Sequence, residues 1–144
     1  MTESNENLGQ LLGSTARAWR LALDRRLRPL GLSRARWLVL LHLANAKQPL
    51  TQKDLAARLE VEGPTVVGLL DRMEADGWVS RRPSNQDRRS KRVALTPKAQ
   101  DVIRPIRATA AGLRGELFEG LTDAELETCA KVLGHIKKAA ERAD

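Results

Sequence analysis

Trp78-Val79-Ser80-Arg81-Arg82-Pro83-Ser84-Asn85-Gln86-Asp87-Arg88-Arg89-Ser90-Lys91-Arg92-Val93-Ala94-Leu95 is the stretch that decides how this chain is read. Two extended segments, residues 78–82 and 91–95, flank Pro83-Ser84-Asn85-Gln86-Asp87, which is rich in turn formers. That pattern predicts a hairpin with a polar tip. Its charge is the second signal. Residues 81–96 hold six basic side chains (Arg81, Arg82, Arg88, Arg89, Lys91, Arg92) against Asp87 alone. Residues 1–80 carry 11 basic and 9 acidic groups, and residues 97–144 carry 8 of each, so most of the net +7 sits in one short block. A solvated loop accounts for a charge run in general. A surplus this local favours a polyanion partner.

Upstream of the hairpin the period turns helical. Val66, Leu69, Leu70 and Met73 draw one apolar stripe, with Thr65, Gly68 and Arg72 on the opposite, open face. Pro64 suits the first turn of that helix, and Asp76-Gly77 suits its stop. The preceding helix is short, from Gln52 to Leu59. It is capped by Thr51 with Asp54 in a capping-box position, and it buries Leu55, Ala56 and Leu59. Lys47-Gln48-Pro49 separates it from a helix that begins after Ser33 and turns Trp37, Leu40, Leu41 and Leu43 inward.

Further out lie three longer amphipathic helices. Residues 5–30 carry the stripe Leu8, Leu11, Leu12, Thr15, Trp19, Leu23 and Leu27, ended by Pro29 and Gly31. Thr96-Pro97 opens a helix over residues 97–119 with Val102, Ile103, Ile106, Ala110, Leu113 and Leu117, bent at Pro105. Thr122 and Glu125 form a capping box for residues 123–142, with Leu126, Cys129, Leu133, Ile136 and Ala140 as stripe. The expected fold is mainly α with a small β wing: a winged helix-turn-helix flanked by N- and C-terminal helices. A winged core of about 65 residues does not cover three stripes, and two-fold dimers are the commonest remedy. Packing within one chain is the alternative.

Two short helices and a basic hairpin suggest how DNA would be met. A helix fits the major groove, and the residues near its N-terminus reach base edges. Here those are Pro64, Thr65 and Gly68, with Arg72 further along the open face. The Thr51 end of the short helix offers backbone N–H groups to a phosphate, with Gln52 and Lys53 beside it. The hairpin would bring Arg82, Arg88, Arg89, Lys91 and Arg92 to the flanking minor groove, whose narrow stretches attract arginine. Asp87 reads either as a group that orients an arginine fork or as a plain turn residue.

Asp87-Arg88-Arg89-Ser90-Lys91-Arg92-Val93-Ala94-Leu95-Thr96 resembles the wing signature of MarR-type transcription regulators: Asp, any residue, Arg, then a strand closing on Leu-Thr. Together with Trp19-Arg20 and Asp24-x-Arg26-Leu27-x-Pro29-Leu30, it is most similar to the SlyA-like branch. The resemblance covers nearly the whole chain. It implies one domain over residues 1–144, with residues 5–30 and 97–142 as dimerisation helices and 33–96 as the DNA-binding core. It also implies an obligate homodimer on pseudo-palindromic double-stranded DNA, with Arg89 entering the minor groove and Arg88 beside it. SlyA itself carries an arginine where this chain has Gly68, so base preference is not carried over. Phenolic or other small aromatic acids bind some members between the dimerisation helices and the winged core. Arg17, Arg20, Trp37 and His42 are the candidates to line such a site here, against ordinary surface charge and core packing. Some relatives sense peroxide through a first-helix cysteine, which this chain lacks.

Other classes find little support in these residues. Cys129 is the one cysteine, so no internal disulfide is possible, and on its stripe it reads as a buried, inert small hydrophobe. His42 and His135 have no ligand spacing, so no metal or other cofactor is expected. There is no nucleophile–base motif, phosphate loop or spaced carboxylate pair, so the chain is read as not an enzyme. The longest apolar run, Trp37-Leu38-Val39-Leu40-Leu41, is too short to span a bilayer, and the polar N-terminus lacks a signal peptide's pattern, so a cytoplasmic location without membrane contact is expected. The alternative function is a winged-helix protein–protein module without operator specificity.

Overall fold

The computed structural model describes residues 3–84 and 90–143. Two compact units make up the chain, Met1–Leu113 and Arg114–Asp144. The first contains a four-residue helix α1 (Glu3–Glu6), α2 (Leu8–Leu27), a 3-10 turn (Arg28–Leu30), α3 (Arg34–Asn45), β1 (Leu50–Thr51), α4 (Gln52–Leu59), α5 (Gly63–Ala75), β2 (Val79–Pro83) and β3 (Lys91–Leu95). Helix α6 (Pro97–Leu117) spans the division in sequence, and α7 (Asp123–Arg142) lies in the second unit.

The predicted caps form. Ser33 Oγ accepts the Arg36 N–H, which fixes the start of α3. Thr51 and Asp54 exchange both bonds of a capping box at α4, and Thr122 and Glu125 do the same at α7. At the end of α5, Gly77 takes φ +85°; its N–H reaches Glu74 O and that of Trp78 reaches Met73 O, a Schellman closure. Thr96 Oγ1 accepts the Ala99 N–H at the start of α6 and donates to Gly77 O, so one hydroxyl joins α6 to the turn after α5.

The hairpin is part of a three-stranded antiparallel sheet in the order β1-β3-β2. The expected two strands are β2 and β3. The third, β1, is only two residues long and pairs Leu50 with Val93, too brief for alternation to reveal it. In the core, Leu55, Val66, Leu70, Met73 and Val79 are joined by Leu27 of α2 and by Ala99, Ile103, Ile106 and Leu113 of α6. The flanking helices therefore bury part of their stripes within this one chain, where the sequence reading set them outside the winged core. Leu11 of α2 stays 59% exposed.

Polar ties hold α3, among them an ion pair of Arg36 with Asp76 at the end of α5, at 2.9 Å. Asp24 of α2 accepts from Arg34 and, at 2.9 Å, from the Trp37 indole N–H. Arg107 of α6 donates 2.9 Å bonds to Ala44 O, a carbonyl that the C-terminus of α3 leaves open, and to the side-chain Oδ1 of Asn45.

The second unit differs in kind. Helix α7 has a complete N-cap and a regular stripe but no buried residue. Leu133 is 41% exposed, and Cys129 is exposed too, against the expectation of burial. The stripe was legible in the sequence, and none of its residues is buried. Among the described residues no helix is long and apolar enough to cross a membrane.

Candidate nucleic-acid interface

Three elements meet around a cleft of about 380 Å³: the first turn of α4, the first turns of α5 and the root of the wing. Gln52 and Lys53 line it from α4, Gly63, Val66 and Val67 from α5, and Ser90 and Lys91 from the wing. The capping box consumes the N–H groups of Thr51 and Asp54. Those of Gln52 and Lys53, in the first turn, have no intrahelical acceptor and remain as donors for an anion. Lys53 is exposed.

Helix α5 divides cleanly. Val66, Leu69, Leu70 and Met73 are buried, while Pro64, Thr65 and Arg72 are exposed and Gly68 is half-buried, as its period predicts. A Cβ at Gly68 would meet only Arg72 Nη1, at 3.7 Å, an ordinary contact. Nothing inside the chain demands glycine there. The open face of α5 is low around Gly68, with the Arg72 guanidinium reaching back toward it.

The wing resolves its basic block into two kinds of arginine. Arg81 is spent internally. Its guanidinium donates to Asp71 at 2.6 Å, to Glu74 at 2.9 and 3.2 Å and to Gln52 Oε1 at 3.0 Å, while its backbone N–H donates to the second Glu74 oxygen. One residue of β2 thus ties α4 to α5. This joint was missed in the sequence because Asp71, Glu74 and Gln52 are ordinary surface residues by period. The paired guanidinium holds the Glu74 carboxyl below the usual carboxylate range, through its side-chain bond first and the backbone bond second. Gln52, expected to face DNA, is partly committed by the same contact.

Arg82 is the other kind. It is exposed and sits directly across the ladder from Arg92, with Lys91 opposite Pro83 in the next rung. Like charges facing each other across strands oppose pairing. An anion between them would relieve that cost, so the wing root is electrostatically matched to phosphate. The candidates Asp87, Arg88 and Arg89 lie outside the described residues. Ser84 N–H donates to Ser90 O at 2.8 Å, closing the ladder at the base of the tip.

The four ligand candidates are placed differently. Trp37 is 3% exposed and its N–H is held by Asp24, so it serves the core. Arg17 and Arg20 are exposed on α2. His42 is half-buried; burial first, and then the charge of Arg58, push its pKa down. Trp78 is half-buried, with Lys98 Nζ 4.3 Å from its ring centre. Among the described residues no three His, Cys, Asp or Glu side chains gather as a metal site would need.

A winged helix-turn-helix with a cationic wing root and an open recognition helix defines the class as a DNA-binding regulator. The sequence model of the MarR family matches residues 30–90. The chain is 48% identical to the transcriptional regulator PA3341, covering 94% of this chain and 99% of that one with a TM-score of 0.88. This protein belongs to the MarR family of transcription regulators. Two more distant structures share the fold. SlyA is 22% identical over 93% of this chain and 94% of its own, with a TM-score of 0.79, consistent with the SlyA-like wing motif. CouR from Rhodococcus jostii RHA1, solved with p-coumaroyl-CoA, is 24% identical over 94% of this chain and 95% of its own, with a TM-score of 0.77.

Proposed function

We propose that the protein acts as a homodimer that binds pseudo-palindromic double-stranded DNA in the bacterial cytoplasm, with α5 in the major groove and the wing on the flanking minor groove. The convergence of the α4 and α5 first turns on the wing root at Ser90 and Lys91 carries this reading, and Arg82 and Arg92 add a cation pair on the other face of the hairpin. In it, Lys53, Lys91 and the α4 first-turn N–H groups hold phosphate. Pro64, Thr65, Gly68 and Arg72 face the bases. Arg88 and Arg89 take the minor groove, and Asp87 orients them. Dimerisation is supported by the open stripes of α2 and α7, which a second copy would bury. The chain performs no chemistry on DNA; it recognises.

Release by a small aromatic acid is part of the proposal, supported by the cations Arg17 and Arg20; CouR holds an aromatic acyl group, there as a CoA thioester. Titration with such acids should give a saturable change in tryptophan fluorescence; a flat response across several acids removes this part. The main reading is tested by selecting duplexes from a random pool and measuring affinity on the winner. Arg89→Ala should lose most affinity where the flank is A·T-rich. Equal loss on every flank would place Arg89 on phosphate alone.

A further inference from the structure

Val67 is 37% exposed on α5, one turn from the helix start, and lines the cleft between α4 and the wing root. It is not part of the buried stripe. Its position beside Lys53 and Lys91 puts an apolar side chain among cations, on the surface proposed to meet DNA. The core packs Val66 instead, and more than a third of Val67 stays open to solvent. Its open part is an apolar surface that an apolar group of the partner can cover.

Duplex DNA presents one in the major groove, the C5-methyl group of thymine. Val67 follows Pro64 by three positions and so shares its side of the helix, near the end that reaches base edges. Next to it, Gly68 adds no side chain, so a base edge can come close to the helix without meeting a Cβ there. The Arg72 guanidinium, 3.7 Å from where that Cβ would be, borders the same low ground.

Resting on the proposed DNA-binding function, we infer that Val67 is a specificity-determining residue that reads a pyrimidine 5-methyl group in each half-site. The recognition is a desolvation contact: methyl against methyl, in a groove whose other contacts are polar. It distinguishes thymine from cytosine and from uracil without a hydrogen bond.

The test uses a duplex selected in vitro by the full-length protein. Each thymine of a half-site is replaced in turn by deoxyuridine, which removes only the methyl group, and affinity is measured by fluorescence anisotropy. Wild type should lose about fourfold at one position, the worth of one buried methyl. Val67→Ala should bind thymine and deoxyuridine equally at that position and keep wild-type ratios elsewhere. If that position is cytosine in the selected site, 5-methylcytosine should tighten wild type by the same factor and leave Val67→Ala unmoved. Val67 is only partly covered by its own chain, so Val67→Ala should still fold, and its thermal midpoint, measured beside wild type, checks this. Indifference of wild type to every methyl, or an unchanged ratio in Val67→Ala, overturns the inference while leaving DNA binding intact. Failure to select any duplex would instead overturn the functional reading beneath it.

Discussion

Helix α5 buries Val66, Leu69, Leu70 and Met73 under its own chain and shows water a face with one low point, Gly68. Helix α7 is longer and better capped, yet buries nothing. Both have stripes of similar quality in the sequence. The difference is what each stripe meets. Around α5, helices α3 and α4 and strand β2 close over it; α7 keeps Leu133 and Cys129 open. An amphipathic period states that a face will be buried without saying by whom. In α5 the answer is the same chain, and the open face is the one proposed to meet DNA. In α7 the proposed answer is a second copy.

The strongest way to break this contrast is at Leu133. Leu133→Asp should convert the dimer to monomer in sedimentation and lower operator affinity roughly a thousandfold, toward the non-specific level. A dimer that survives would assign the open stripe elsewhere. Next comes the same chemical change at both helices. Leu70→Ala should cost about 2–5 kcal/mol in denaturant unfolding, because it empties a fully buried site. Leu133→Ala, measured dilute enough to keep the chain monomeric, should stay within about 0.5 kcal/mol. Equal costs would mean that α7 is covered in the monomer.

The neighbouring arginines sharpen the same division inside the wing. Arg81→Met should lower stability by about 1 kcal/mol, a charged hydrogen-bond network discounted for its exposed carboxylates. Arg82→Met should leave the melt unchanged and reduce the salt slope of DNA binding by about 1. The reverse pattern would exchange their roles.

The smallest effects are in pH. Glu74 has its folded pKa lowered by Arg81, so its contribution is present above the unfolded carboxylate pKa and is lost as pH falls through the lower folded value. Glu74→Gln should flatten that acid limb. His42 also has a lowered pKa, here because burial favours the neutral ring. Its contribution is full above the unfolded value of 6.5 and declines as pH falls from there toward the folded value. His42→Gln should remove the slope just below 6.5, and an unchanged slope would mean that the ring is hydrated in solution.

The fold was largely legible because its boundaries are chemical. Thr51 with Asp54, Thr122 with Glu125, Ser33, Thr96 and Gly77 each satisfy backbone groups in a way that local sequence advertises. Where the signal was absent, so was the reading. Val39 is fully buried but lies in a continuous apolar run, where period has nothing to separate. Strand β1 is too short to alternate. At the interface, the period of α5 identified Thr65, Gly68 and Arg72. Arg81 was counted with the free charges because its partners are 7, 10 and 29 residues away, a distance only the fold closes. Val67 was not singled out, because an apolar residue flanking a stripe carries no signal of its own in the period.

The central claim is that a paired set of wings and recognition helices binds duplex DNA through its phosphates and bases. Its most direct test is the affinity for a selected palindromic duplex measured against salt. Log K should fall linearly with log salt, steeply enough for about 6–10 phosphate contacts shared by two chains. A flat salt dependence would contradict it.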